Sequence, residues 1–274
     1  MKRLLTIQDI SCVGQCSTTV ALPIVSACGV ECAILPSSIL SNHTGGFKSW
    51  TFADLTAELG NVEAKWCELG IKFDAFYTGY VSESHIDPIL SIMKSCANPG
   101  ALRIVDPAMA DNGRLYAGFG EDFPSKMARL CNGADYLLPN LTEAAFLTGS
   151  EVKLSGYSRA EIEELIAKLH ALGAKNVILT GVSYSENELG SAISDGMKIE
   201  YDFNLRLNRM SHGTGDVFAS VFAGAIMRGK SALDAAALAA DIVCEAIKAT
   251  EDGHWYGVSF EKVIPDLANA LSRY

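Results

Sequence analysis

The residues best suited to chemistry stand at Ser211-His212-Gly213-Thr214-Gly215-Asp216, directly before the apolar run VFASVFAGAIM. A glycine-flanked threonine, an acid and then a helical pattern describe a loop turning into a buried helix. A helix start presents unpaired N–H groups and a positive dipole end, so it attracts anions, and glycines let a ligand approach the backbone closely. Asp216 falls in the first helical turn, where its carboxylate could accept a proton beside a bound anion. The plainer reading is a glycine-rich loop with Asp as an ordinary cap.

Other loaded positions recur where strands are expected to end. They are Gln8-Asp9, Thr78-Gly79-Tyr80, Asp106 with Asp111-Asn112-Gly113 nearby, Asn140 with Glu143, and Thr180-Gly181. Carboxylates and an Asn on neighbouring strand tips suit a hydrated Mg²⁺, which keeps several waters and takes few protein ligands. Each has a structural explanation as well. Asp106-Pro107 makes a common turn, and Asn140 with Glu143 fits an N-cap plus N3 capping box. There is no GxxxxGK[ST], and no GxGxxG after the first strand, which disfavours P-loop and ordinary dinucleotide enzymes.

The elements that must carry these positions alternate. Strands are expected at Arg3–Gln8, Glu31–Pro36, Phe73–Thr78, Leu102–Val105, Tyr136–Leu138 and Asn176–Thr180, with a hairpin of Ser191–Ser194 and Lys198–Phe203 around Asp195-Gly196. Helices are expected from a Ser17 cap to Gly29, with Pro23 inside, and at Phe52–Leu69, Ser84–Cys96, Asp122–Cys131, Thr142–Leu147 and Ser158–Leu172. Three more are expected at Asp216–Met227, Leu233–Thr250 and Phe260–Leu271. Ser37–Phe47 reads as a polar loop. Short apolar strands alternating with helices predict an α/β fold, a mostly parallel central sheet with helices on both faces. No repeat or Pro/Gly-rich linker divides the 274 residues, so a single domain, 1–274, is expected. In such sheets ligands sit beyond the carboxyl ends of the strands.

Composition narrows the function classes. With 49% hydrophobic residues and a mean hydropathy of +0.19, a large core is available. A net charge of −10 argues against non-specific nucleic-acid and anionic-membrane partners. The opening MKRLLTIQDI is too short an apolar stretch for a signal peptide and no run approaches membrane-spanning length, so a cytoplasmic location is expected. The eight cysteines contain no CxxC and read as buried thiols in a reduced compartment. His85, His170, His212 and His254 have no ligand-like spacing and read as structural or surface residues.

GTGD heading an apolar helix, with Asn140-Leu141-Thr142-Glu143 upstream, resembles the ribokinase superfamily of small-molecule kinases. Within it, VDPAMADNGRLY (Val105–Tyr116), SNHTG (Ser41–Gly45) and Thr78-Gly79-Tyr80 resemble the pyridoxal kinases. The resemblance implies a ribokinase-like fold and ATP-dependent phosphorylation of the 5′-hydroxymethyl group of pyridoxal, pyridoxamine or pyridoxine. It implies Asp216 as general base and Gly213, Thr214 and Gly215 as an anion hole. Asp106, Asp111, Asn140 and Glu143 match positions around Mg²⁺ and the ATP phosphates, with Asp106 and Glu143 on the metal side. Tyr116 and Thr180 match nucleotide-side positions, and His43, Thr44 and Tyr80 match contacts to the pyridine ring. Adenine is expected between Leu205–Asn208, with Leu205 and Leu207 as contacts, and the helix near Cys244–Lys248. ATP and Mg²⁺ are the implied cofactors, with K⁺ a further candidate, and a homodimer is the implied assembly.

Two departures qualify the match. Asp9 stands where many pyridoxal kinases carry Ser, the strand end reading T-I-Q-D-I-S. An ionised Asp accepts only, so it suits a cationic amine or a pyridinium N–H and would tilt preference toward pyridoxamine; equally, Asp9 serves as a loop acid capping the next turn. Ala110 replaces the usual Gly and stiffens the loop before Asp111. The rival readings are a hydroxymethylpyrimidine kinase of thiamin biosynthesis, which often has Cys for the GTGD acid and lacks SNHTG, a sugar kinase, and a nucleotide- or vitamin-binding regulator without catalysis.

Overall fold

The computed structural model describes residues 1–209 and 211–272. In chain order its elements are β1 (Arg3–Ser11), α1 (Thr18–Ala27), β2 (Glu31–Leu40), β3 (Phe52–Asp54), α2 (Thr56–Glu68), β4 (Phe73–Thr78), α3 (Glu83–Ser95) and β5 (Ala97–Val105). Then come β6 (Ala110–Asp111), β7 (Arg114–Leu115), α4 (Phe123–Cys131), β8 (Tyr136–Leu137), α5 (Leu141–Thr148), α6 (Arg159–Ala171), β9 (Asn176–Val182), β10 (Glu188–Ser194) and β11 (Ile199–Leu205). The chain closes with α7 (Thr214–Met227), α8 (Ala232–Ala249), a 3-10 turn (Phe260–Val263) and α9 (Ile264–Leu271). This is the expected mixed, mostly parallel sheet with helices on both faces.

Two compact units emerge, one of residues 1–101 together with the chain from Leu207 onward, the other of residues 102–206. In the first, β1 pairs in parallel with β2 and β4, and β3 closes the edge antiparallel to β2. Leu4, Leu5, Ile7, Ala75 and Tyr77 of the strands and Val20, Ala21 and Val25 of α1 are fully buried. Behind α1 lies α7, apolar all round and buried along nearly its whole length, as such a helix must be. A Cβ on Gly224 would fall 2.4 Å from Cys28 Sγ, so this glycine sets how closely the two helices approach. In the second unit β8 runs parallel to β5 and β9, while β10 joins β9 and β11 antiparallel.

Several sequence expectations change. Phe52–Leu69 is not one helix: Asp54 Oδ1 accepts from Thr56 N at 2.7 Å, an Asx turn that ends β3 before α2 begins. The polar segment after Pro36 is strand as far as Leu40, with Ser37 and Ser38 fully buried. The strand ending at Val105 starts at Ala97, five residues before the expected start. Ser17 precedes α1 but makes no side-chain cap; its φ is 52°, and its carbonyl accepts from Val20 and Ala21 N. The hairpin β6–β7 was not expected. All eight cysteines are free, but only Cys28, Cys96 and Cys131 are buried, and Cys12 and Cys67 are exposed. Among the described residues no helix is long and apolar enough to cross a membrane.

Candidate active site

In the first unit, α7 starts on Gly213, whose φ of 80° and ψ of 0° place it in the left-handed region. A Cβ there would also lie 1.9 Å from the Gln15 carbonyl oxygen, so both backbone angle and space require glycine. No side chain caps α7, so none competes with an anion for its first amides. Asp216 is half-buried in that first turn. Nothing lies within 4 Å of where a Gly215 Cβ would stand.

Asp9 is not in a loop. It sits within β1 at a register shift between Gln8 and Ile10, is 3% exposed, and accepts from Ser11 Oγ at 2.8 Å. A bulge re-aims a side chain, which is how an acid comes to lie inside a central strand. Burial raises its pKa, opposed by hydroxyl bonds from Ser17 and Ser11. Burial and then the Asp9 charge push the Tyr80 phenol up to about 12. Burial, then Asp216 and Asp9, raise the Cys16 thiol as well, so Asp9, Cys16 and Asp216 share one electrostatic neighbourhood.

His43 is buried and both ring nitrogens are engaged. Gly45 N donates to Nδ1 at 3.0 Å, and Nε2 lies 2.8 Å from Tyr256 O. Only the neutral tautomer with its proton on Nε2 satisfies both. Desolvation lowers its pKa, and the neighbouring His212 adds to this. The pyridine-side assignment of His43 therefore leaves it only its ring face, which already meets Phe47 edge-on at 5.1 Å and His212 at 5.3 Å. Thr44 and Tyr80 are half-buried. Leu207 is half-buried, and its carbonyl accepts from Arg209 N, whose guanidinium holds the carbonyls of Thr250 and Glu251.

In the second unit, Asn140 and Glu143 form a reciprocal capping box on α5: Asn140 Oδ1 accepts from Glu143 N at 2.9 Å, and Glu143 Oε2 accepts from Asn140 N at 2.8 Å. The box does more than cap. Glu143 Oε1 accepts from Met109 N at 3.0 Å, and Asn140 Nδ2 donates to Ala110 O at 2.8 Å, fastening the segment after Asp106. Asp106 caps its own turn, accepting from Ala108 N at 3.1 Å. Burial, then the Glu143 charge, holds Asp106 well above the usual carboxylate range. Burial pushes Glu143 up to about 7 against three backbone bonds. Two neighbouring carboxyls that resist ionising together suit a cation. Among the described residues no cluster of three or more His, Cys, Asp or Glu is placed to hold a metal ion.

Asp111 lies exposed in β6, where Asn112 N donates to it at 2.8 Å. Asn112 and Gly113 have φ of 50° and 77°, the double positive of a type I′ turn, and Gly113 N donates to Thr142 Oγ1 at 3.1 Å. The hairpin is thereby tied to α5. Tyr116 follows it, half-buried, with its N–H on Met109 O at 2.8 Å. Thr180 bridges to Asn140 and bonds Pro139 O at 2.9 Å. Leu205 ends β11 and is 79% exposed.

Hydrogen bonds tie Asn140, Glu143, Thr180 and the backbone of Met109, Ala110 and Tyr116 together, Asp106 and Asp111 hold amides of their own turns, and Leu205 stands at a strand end paired with Glu188. Sequence reasoning missed Gln15 and the segment 254–257. Their partners are more than two hundred residues apart along the chain (|i−j| of 239 for Gln15 with His254), so no spacing could signal them.

Comparison with known proteins places the chain among small-molecule kinases. The model of the phosphomethylpyrimidine kinase family matches residues 22–259. Pyridoxal kinase of Dictyostelium discoideum is 28% identical over 261 residues, 89% of this chain and 82% of that protein. The crystal structure of pyridoxal kinase from Lactobacillus plantarum is 30% identical and covers 100% of this chain and 99% of its own, with a TM-score of 0.91. A Bacteroides thetaiotaomicron protein assigned to the phosphomethylpyrimidine kinases, crystallised with pyridoxal, is 33% identical over 97% of this chain and 95% of its own, also with a TM-score of 0.91. The chain belongs to the phosphomethylpyrimidine kinase family of small-molecule kinases, with a ribokinase-like fold.

Proposed function

We propose that the protein transfers the γ-phosphate of ATP to the 5′-hydroxymethyl group of a B6 vitamer. The observation that carries this is the start of α7: a glycine turn pressed onto the Gln15 carbonyl, no side-chain cap, and Asp216 in the first turn. An anion bound on the amides of Gly213, Thr214 and Gly215 lies beside a carboxylate, the arrangement phosphoryl transfer to an alcohol requires. Asp216 accepts the hydroxymethyl proton as the oxygen–phosphorus bond forms and the bond to the β-phosphate oxygen breaks. Its weak basicity suffices, because the transfer depends chiefly on alignment and charge stabilisation.

Asp106 is the carboxylate that would hold Mg²⁺, with Glu143 behind it. When bound, the ion neutralises charge on the ATP phosphates. Tyr116, Asn140, Thr180 and the hairpin of Asp111 serve the nucleotide side, and Leu205 and Leu207 the adenine. Asp9, Thr44, Tyr80 and the ring face of His43 serve the vitamer. The identities to proteins named or crystallised for pyridoxal support the B6 reading over a pyrimidine substrate, and so does an acid rather than Cys at position 216. The family's own description favours the second reading, a hydroxymethylpyrimidine kinase. A homodimer fits the exposed apolar residues Ile39 of β2, Trp50 just before β3 and Phe52 of β3, and a cytoplasmic enzyme is the setting in which ATP is at hand.

ATP consumption with pyridoxal, pyridoxine, pyridoxamine and hydroxymethylpyrimidine, in Mg²⁺ with and without K⁺, tests the proposal. Turnover with at least one vitamer, exceeding that with the pyrimidine, is expected. Turnover with the pyrimidine alone overturns the B6 reading, and no turnover with any of them favours the non-catalytic regulator.

A further inference from the structure

Three segments of the first unit meet at Gln15. Its Nε2 donates to the Glu261 carboxylate at 2.9 and 3.0 Å, and its Oε1 lies 2.6 Å from His254 Nε2. A carboxylate accepts only, so the amide's orientation is fixed and His254 is the donor. The rest of Gln15 is gripped as closely. A Cβ on Gly257 would stand 2.4 Å from its Oε1 and 2.7 Å from its Cβ, and one on Gly213 would stand 1.9 Å from its carbonyl oxygen. Glu261 lies in the 3-10 turn, so the clasp runs from that turn, through the Gln15 amide, to the carbonyl on which Gly213 rests. The segment 254–257 reaches further: Tyr256 O accepts from His43, whose own N–H returns to Val13 O at 3.1 Å.

On one side of the Gly213 turn His212 packs against His43 and the Gly45-Gly46 backbone; on another the turn rests on the Gln15 carbonyl. Glycine is the residue with the softest backbone, and no side chain caps α7. The Gln15 carbonyl oxygen is the atom nearest to where a Gly213 Cβ would stand, so it limits where this turn can sit. That carbonyl is held in place by a side chain on its own residue.

We propose that Gln15 is a positioning residue for phosphoryl transfer: clasped by Glu261 and His254, it holds the Gly213 turn at the height where the first amides of α7 meet the transferring phosphate. The proposal rests on the kinase reading above. Gln15→Glu sets two carboxylates against each other and breaks the clasp. Adding Glu261→Gln reverses the polarity of the bond, because an amide at 261 donates to a carboxylate at 15, which still accepts from His254. The double variant has the net charge of the native protein, so bulk electrostatics does not separate them.

Two readouts are needed, kcat and KM for ATP with pyridoxal, and hydrogen exchange of the segment 211–217. Gln15→Glu should lower kcat by about tenfold or more while leaving KM for ATP within about twofold, since a misplaced anion hole is felt mainly in the transition state. Exchange at 211–217 should quicken while exchange in α8 does not. The double variant should recover most of both. A general loss of stability would instead quicken exchange throughout. Unchanged exchange at 211–217 in Gln15→Glu overturns the proposal whatever the turnover, and so does a double variant no better than the single. A wild type inactive on every vitamer refutes the kinase reading, and exchange then decides the role of Gln15 by itself.

Discussion

Gly213 and Gly215 look alike in the sequence but stand in different circumstances, and two alanine substitutions separate them. At 213 the backbone is left-handed, which costs an L side chain roughly 1–2 kcal/mol. A new Cβ would also lie 1.9 Å from a backbone carbonyl, which no rotamer relieves, so the turn must move by more than an ångström. Gly213→Ala should lose at least about 2 kcal/mol, a fall in Tm of about 4–8 °C for a chain of this size. A displacement of about 1 Å at reacting groups is worth about a hundredfold in rate. At 215 the backbone is helical and a Cβ has nothing within 4 Å. The chain itself gives no reason for glycine there, and alanine should stabilise the helix by roughly 0.5–1 kcal/mol. If the anion lies against that amide, the methyl group obstructs it. Gly215→Ala is therefore expected to raise Tm by about 1–4 °C while lowering kcat/KM at least about tenfold. Thermal denaturation and steady-state ATP turnover with pyridoxal read the two effects separately. A Gly215→Ala enzyme as active as the native one refutes close approach of the phosphate to this turn.

Asp216→Asn should cut turnover at least about a hundredfold with ATP binding retained by calorimetry; near-native turnover removes Asp216 from the role of base. Asp9→Ser should shift the ratio of catalytic efficiencies away from pyridoxamine and toward pyridoxal, and an unchanged ratio dissociates the buried acid from vitamer choice. His43 has a lowered pKa in the fold, so below about pH 6.5 the unfolded chain takes up a proton that the native protein refuses. Stability is then full above that pH and declines as pH falls toward the folded pKa; His43→Gln, which cannot charge, should flatten part of the fall in Tm between pH 7.5 and 5, and parallel curves would exclude a contribution from His43. Glu143→Gln places an NH₂ where backbone amides now donate, and should cost about 2–3 kcal/mol by denaturant titration.

The alternation of strand and helix was legible because apolar runs such as Phe73–Thr78 and the α7 run are buried on every side and need no context to be recognised. Their ends were not, because ends are set by side-chain bonds across the chain or around a turn. Asp54 and Thr56 break an apparently continuous helix through one Asx turn. Ser37 and Ser38 look like loop but are strand, since the sheet buries them beside β1. Asn112-Gly113 is a strong local signal for the type I′ turn of the β6–β7 hairpin, but strands of two residues each are too short for any alternation pattern to mark them. Asp9 was misplaced for a different reason: a bulge lets an acid occupy a central strand, and no alternation pattern anticipates one. The Gln15 clasp lies beyond any sequence reading, since glycines at 213 and 257 explain themselves only once the residue they press against is known.

Asn140 and Glu143 show why a structural and a catalytic reading of one motif need not compete. The capping box that the spacing suggests is present, and it accounts for both side chains in full: Glu143 accepts from three backbone amides and Asn140 donates to Ala110 O. A carboxylate so committed has little capacity left for direct ligation. Yet those bonds run from the start of α5 to the backbone just beyond Asp106, so the cap also fixes the turn from which the Asp106 carboxyl extends. Glu143 further raises the pKa of Asp106, and a nearby cation would relieve the repulsion that does so. The division of labour that follows is asymmetric. On the proposed reading Asp106 would be the carboxylate left to face an ion, and Glu143 would support it from behind while closing the helix.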